Sequence, residues 1–195
     1  MTEIADGLVR CGWATSSQLY ADYHDTEWGR PLHDRDELFE RICLEAFQSG
    51  LSWITILRKR PAFREAFAGF DPEVVARFGD DDEQRLLADA GIVRNKAKIR
   101  ASVRNAQAVL DLDTDLGELL WSFAPKGHSR PATMADVPAT TPESVAMAKE
   151  LRRRGFAFVG PTTAYALMQA TGIVNDHVAD CWVDVEAPKT SMRAG

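Results

Sequence analysis

The chain has 195 residues, 45% of them hydrophobic, and 23 basic against 29 acidic residues give a formal net charge of −6. That length suits one core of ordinary size, and the acidic balance argues mildly against a polyanionic partner, because nucleic-acid binding draws on phosphate neutralisation. Residues 1–9 lack a signal-peptide pattern, the LSWITIL run is far too short for a membrane span, and three cysteines suit reduced thiols, so the expectation is one cytoplasmic domain over 1–195 with no membrane partner.

The stretch Arg10 to Trp28, RCGWATSSQLYADYHDTEW, gathers a thiol, an imidazole and four large aromatics. Twelve residues separate Cys11 from His24, near the ligand-pair spacing of small zinc sites, but a tetrahedral site needs four donors. His177 and Cys181 stand four apart near the other end, so on a helix both would project from one face. The pattern predicts one zinc site, Cys11, His24, His177 and Cys181, tying the two termini together. The alternative is scattered core cysteines, as expected for Cys43; His33 and His128 likewise have no partner at ligand spacing.

Helical period dominates the rest, with no alternating run long enough for a strand, so the predicted fold is mainly α. Asp34 with Glu37 forms a capping-box pattern that opens a helix through about Ser49, closed by Gly50. Pro61 is expected to lead into the helix AFREAF, Asp71-Pro72 into PEVVARF, and Asp82 into EQRLLADA, which Gly91 ends. Ile99, Val103, Ala106 and Leu110 stripe a basic helix that carries Lys96, Arg100 and Arg104 on one row. That row reads as a phosphate-binding face or as a solvated one, and so do the clusters Arg58, Lys59, Arg60, Arg64 and Arg152–Arg154. Four prolines and Gly127 make 125–142 a loop, and Thr141-Pro142 then starts a helix ending at Gly155. The turn Gly160-Pro161-Thr162-Thr163 enters a last helix and leaves amides free for an anion.

On the first long helix Glu45 falls on the apolar stripe, while Glu37, Arg41 and Gln48 fall on the polar side. A buried carboxylate has its pKa raised and requires a donor or a positive charge, from the protein or from a ligand. A structural hydrogen bond would serve as well as a ligand. Five of the eight Trp and Tyr residues, Trp13, Tyr20, Tyr23, Trp28 and Trp53, lie in the same third of the chain. With a carboxylate beside them they suit a flat cationic ring such as a charged nucleobase.

In order, the segments RCGW, YHDTEWG, CLEAFQSGLSW, DAGIVRNKAKI, RGFAFVGPTT and NDHV cover nearly the whole chain. Together they resemble the 3-methyladenine DNA glycosylase I family, a zinc-containing branch of the helix-hairpin-helix glycosylases. The resemblance implies a helical bundle with a zinc-tied lobe, about 10–28 with 165–182, on a helix-hairpin-helix core of about 34–165. It implies a monomeric base-excision-repair hydrolase that flips alkylated adenine from double-stranded DNA, cuts its N-glycosidic bond and releases free 3-methyladenine. Glu45 would be the catalytic group, recognising the base with Tyr23 and Trp53 while Trp13 stacks. Gly50 and Leu51 would enter the duplex, Gly160, Thr162 and Thr163 would hold its backbone, and one structural zinc would sit on Cys11, His24, His177 and Cys181. Asp176 would cap or support His177. The competing classes are a damage-binding module without chemistry and a zinc hydrolase, the latter disfavoured because four protein ligands leave no position for water.

Overall fold

The computed structural model describes residues 6–185. Among them are nine α-helices and three short 3-10 helices, with no strand. The α-helices are α1 Gln18–Thr26, α2 Arg35–Gln48, α3 Trp53–Ala66, α4 Pro72–Val75, α5 Asp80–Ala88, α6 Lys96–Leu110, α7 Leu116–Trp121, α8 Pro142–Arg153 and α9 Pro161–Ala170.

Helix α2 is the axis of the molecule. Asp34 caps it, its carboxylate accepting from the amides of Asp36 and Glu37, both at 3.0 Å. Every residue from Leu38 to Phe47 is buried, so α2 has no solvated face, and α3, α6, α7 and α9 pack around it. Arg41 is therefore not on a polar side as the sequence pattern suggests; it is buried, one turn before Glu45. Gly50, at φ +83°, takes the left-handed turn that ends the helix.

Other boundaries differ from expectation for identifiable reasons. Pro61 lies inside α3, whose true start is capped from outside: the Tyr20 hydroxyl accepts from the Ile54 amide at 2.8 Å. The bond that proline forgoes is outweighed by burial of Leu57, Phe63 and Ala66 along the same helix. Asp82 does not precede α5 but sits in its first turn, accepting from the Gly79 amide at 3.1 Å. On α6 the stripe is rotated, with Val103 half-buried and Leu110 exposed. Polar residues with partners take the core face instead. Lys98 Nζ donates to the carbonyls of Phe47 and Ser49 at 2.9 and 2.6 Å, closing the C-terminal end of α2.

Most of the core is one apolar cluster that includes Phe39, Phe47, Phe63, Phe67 and Phe70. A second, smaller one gathers Cys11, Tyr23, Trp28, Leu57, Ala170, Val178 and Cys181, and Trp53 packs against both. Helices α8 and α9, joined by a turn at 154–160, form the helix-hairpin-helix unit. Asn105 pins that turn: its side chain donates to the Ala157 carbonyl at 3.2 Å and accepts from the Ala157 amide at 2.7 Å.

Candidate active site and metal centre

His177 and Cys181 do not lie on a helix; they fall in irregular chain after α9. The four ligands converge nonetheless. The donor atoms of Cys11, His24, His177 and Cys181 all lie within 4.8 Å of one another, and all four residues are buried. Cys181 Sγ is 3.5 Å from His24 Nε2 and 3.6 Å from His177 Nδ1, and Cys11 Sγ is 3.9 Å from His177 Nδ1. Metal–ligand bonds of about 2.0–2.3 Å in a tetrahedron place donors roughly 3.3–3.8 Å apart, so these separations suit one ion.

The outer nitrogens settle the tautomers. His24 Nδ1 donates to Asp25 Oδ1 at 2.8 Å, and His177 Nε2 donates to the Trp28 carbonyl at 3.2 Å. Each imidazole then presents a lone pair inward, with His24 Nε2 and His177 Nδ1 only 3.1 Å apart. Two lone pairs cannot bond each other, whereas a cation between them satisfies both. Burial holds His24 and His177 below the usual histidine value, His177 at about 4, which favours the neutral imidazoles that a metal could take as ligands. Burial also pushes the Cys11 thiol up to about 12, so its thiolate requires a cation. Around this centre, Arg10 pairs with Asp25, and Arg130 donates to the carbonyls of His177, Val178 and Cys181. Gly29, at φ +77°, is essential to the approach, since a Cβ there would meet His177 Nε2 at 2.9 Å.

Beside the metal centre opens a cavity of about 390 Å³, lined by Trp13, Tyr20, Tyr23, Trp28, Glu45, Gln48, Trp53, Met134, Val137, Ala166, Gln169 and Asp176. All four residues expected to take a base, Trp13, Tyr23, Glu45 and Trp53, line this one space. Trp13 meets Tyr20 and Trp28 edge-on, at centroid distances of 5.4 and 5.1 Å, and Tyr23 lies 5.5 Å from Trp53. Glu45 is 6% exposed. Burial pushes its carboxyl up to about 8, and the nearby Arg41 charge offsets only part of that. Trp53 Nε1 is buried without a hydrogen-bond partner among the described residues, so this wall offers an unspent donor. The arrangement suits a flat ring that carries positive charge towards Glu45 and an acceptor towards Trp53.

Asp176 is not a cap of His177. Its carboxylate, 2% exposed, accepts from Tyr165 Oη and Gln169 Nε2, both at 2.7 Å, and pairs with His128 Nε2 at 2.9 Å. His128 thus has a partner that spacing did not reveal. Burial opposes the charge of Asp176, but these three donors outweigh it and keep the carboxyl below its usual value. The role of Asp176 on the cavity wall is invisible in sequence, because Tyr165, Gln169 and His128 are brought to it only by the α9 turn and the 125–141 loop.

The residues expected to meet DNA lie at the surface. Leu51, 42% exposed, projects between α2 and α3 just after Gly50. At the start of α9 the first helical bond runs from the Ala164 amide to the Gly160 carbonyl, leaving the Thr162 and Thr163 amides without helical acceptors. The basic row is less free than its spacing suggests. Lys96 and Arg100 both pair with Glu83, while Arg104 is exposed. The other clusters are also engaged: Arg60 with Glu27, Arg64 with Glu40, and Arg153 and Arg154 with Glu150.

Known proteins match the chain along most of its length. The family described as Methyladenine glycosylase matches residues 13–184. DNA-3-methyladenine glycosylase 1 of Escherichia coli (strain K12) is 46% identical over 181 residues, 89% of this chain and 96% of that protein. DNA-3-methyladenine glycosylase of Haemophilus influenzae is 44% identical over the same shares. A crystal structure of a 3-methyladenine DNA glycosylase I superimposes with a TM-score of 0.88 at 43% identity, covering 91% of this chain and all of that one. The Staphylococcus aureus glycosylase, solved for its recognition of 3-methyladenine, does so with a TM-score of 0.87 at 33% identity over 91% and 97%. With its helical fold, its aromatic cavity and these likenesses in hand, the chain belongs to the methyladenine glycosylase family.

Proposed function

We propose that the protein is a DNA-3-methyladenine glycosylase of base excision repair, acting on double-stranded DNA that contains alkylated adenine. The observation that carries this reading is the buried Glu45 carboxylate among Trp13, Tyr23 and Trp53. Methylation at N3 places a positive charge on the base within its nucleotide. Flipping costs a few kcal/mol, least for a damaged base, and stacking plus charge attraction to Glu45 compensates for it where neutral adenine cannot.

The charged base is already a good leaving group. The glycosidic bond breaks with its electron pair passing to the base, which departs as neutral 3-methyladenine. Water adds to the sugar carbon and releases a proton, leaving an abasic site. Glu45 acts by binding and orienting the cationic base, the aromatic walls exclude bulk water, and Trp53 Nε1 supplies a donor to the ring. Leu51 fills the gap in the duplex, while Gly50, Gly160, Thr162 and Thr163 carry the backbone contacts, with Lys96, Arg100 and Arg104 adding phosphate attraction.

Zinc is the ion we assign to the Cys11, His24, His177 and Cys181 cluster, since two thiolates and two imidazoles in a closed buried set suit it. Its chemistry there is structural: four protein donors leave no position for a reacting water. The lobe of about 10–28 with 165–182 and the core of about 34–165 act as one domain, as the packing of Trp53 against both clusters supports. None of the described helices is long and apolar enough to cross a membrane, and we place the enzyme in the cytoplasm as a monomer.

The test is release of free base from alkylated duplex DNA, with and without chelator. Release that persists while the metal is retained supports a glycosylase with a structural ion. Tight binding of damaged DNA without release makes the chain a recognition module. Loss of chemistry on metal removal with the fold intact makes the metal catalytic.

A further inference from the structure

Arg41 is a buried guanidinium in the middle of the core helix, one turn before Glu45. Its Nη2 donates to Glu27 Oε1 at 2.5 Å, yet its Nη1 is buried without a hydrogen-bond partner among the described residues. Glu27 is shared. Arg60, from α3, pairs with the same carboxylate and donates to its Oε2 at 3.1 Å. The next acid, Glu40, is taken by Arg64 at 2.9 Å. Two guanidiniums on one carboxylate leave one positive charge uncompensated, and both lie 5.8 Å from the centre of the Tyr23 ring on the cavity wall. A buried charge of this kind is tolerated when a second acid is near. Glu45, one turn further along the same helix, is the acid on the cavity side.

We propose that Arg41 is a positioning residue for base recognition: its guanidinium nitrogen, unpaired among the described residues, one helical turn from Glu45 and beside the Tyr23 ring, holds positive charge behind the cavity wall and so sets how readily Glu45 serves a cationic base. This rests on the reading of Glu45 given above and deepens it. The other groups around Glu45 cannot substitute for Arg41. Tyr23 on α1 is held neutral, because burial pushes its phenol up. Glu27 is anionic: burial works against it, but Arg60 and Arg41 together hold it below the usual carboxylate value. Arg60 is bound to Glu27 through two nitrogens, and Asp176 on the α9 side is an anion held by His128, Tyr165 and Gln169. Arg41 is the cation that acts on Glu45 against the effect of burial.

The test is kcat/KM for release of 3-methyladenine from methylated duplex DNA between about pH 5 and about pH 9, a ratio that reports ionisations of the free enzyme. The parent should show activity rising through the ionisation of Glu45, near pH 8. Arg41→Met should move that limb upward by about one pH unit or more, to or beyond the top of this range, which reads as at least a tenfold loss at neutral pH. Arg41→Lys, which keeps the charge, should restore the parental limb. Glu27→Gln, which frees more of the Arg41 charge, should move the limb downward and serves as an independent test if Arg41→Met does not fold. An unmoved limb in Arg41→Met or in Glu27→Gln overturns the proposal, as does higher activity of Arg41→Met at neutral pH, which would mean that Arg41 chiefly repels the base. The limb should vanish in Glu45→Gln. If it persists there, the reading of Glu45 itself fails, a result distinct from failure at Arg41 alone.

Discussion

Tyr23 and His24 are neighbours on α1 that serve two centres: the Tyr23 ring lines the aromatic cavity, while His24 Nε2 faces the thiol of Cys181 at 3.5 Å. The same coupling recurs at Cys11 with Trp13 and at His177 with Asp176, where a metal ligand stands one or two residues from a cavity wall. The four-residue cluster and the walls of the cavity are therefore held by the same short segments, so a metal bound there would brace those walls.

Removing a ligand should loosen the fold before it alters catalysis. Cys181→Ala is expected to lose its zinc and to be destabilised by about 4 kcal/mol or more. In a chain of this size that lowers the melting temperature by roughly 8–16 °C. Metal analysis with thermal melts checks it, and a metal-free variant that melts like the parent would show that the termini are held by packing alone.

Glu45 should cost stability in order to serve binding. Its folded-state value of about 8 lies above the ordinary 4.5, so between those two values the unfolded chain has shed a proton that the folded chain retains. Stability then falls as pH rises through that window. Glu45→Gln lacks the penalty, and its melting temperature should gain on the parent's as pH rises from about 5 to about 8. A variant less stable than the parent across that range would make Glu45 a scaffold residue.

How far the sequence reveals all this depends on which forces act locally. Cys11, His24, His177 and Cys181 are legible because metal ligation demands rare residue types at constrained spacing. Glu45 is legible because a carboxylate interrupts an apolar stripe. Arg41, one turn earlier, misleads for the converse reason. On the expectation that arginine faces water it belongs outside, and the Glu27 carboxylate that takes one of its nitrogens comes from the residue just past α1, fourteen residues earlier. Lys98 and Asn105 rotate α6 in the same way, through backbone carbonyls and amides that no periodicity displays. The start of α3 is hidden because its first turn is closed by Tyr20 of another helix, not by a local cap. The short helices α1 and α7 carry too few turns for a periodic signal to stand out.

Leu51 should matter for catalysis and little for folding. It is exposed beside the left-handed Gly50, so Leu51→Ala removes the proposed plug and not a core contact. If it contributes about 1.4 kcal/mol to holding the base out of the stack, excision from duplex DNA falls about tenfold. Thermal melts should be unchanged. Equal excision rates for parent and variant would remove Leu51 from the mechanism.

Glu83 should restrain the basic row that it binds. Neutralising Lys96, Arg100 and Arg104 together is expected to weaken duplex binding regardless of sequence and to reduce the salt slope by up to about three. Glu83→Gln, which releases Lys96 and Arg100, should strengthen binding at low salt. Binding that ignores both changes would make the row a solvated face.

The central claim is that Glu45 reads the donor edge of the alkylated base as well as its charge in the nucleotide, and titration of free 3-methyladenine, neutral but with that edge intact, against free adenine tests the first of these most directly. The parent should prefer 3-methyladenine, and Glu45→Gln should bind it about ten- to a hundredfold more weakly, consistent with roughly 1.5–3 kcal/mol for a charge-assisted hydrogen bond. Zinc content should stay intact. Equal affinity of parent and variant for 3-methyladenine would contradict the account, and recognition would then belong to another residue of the cavity.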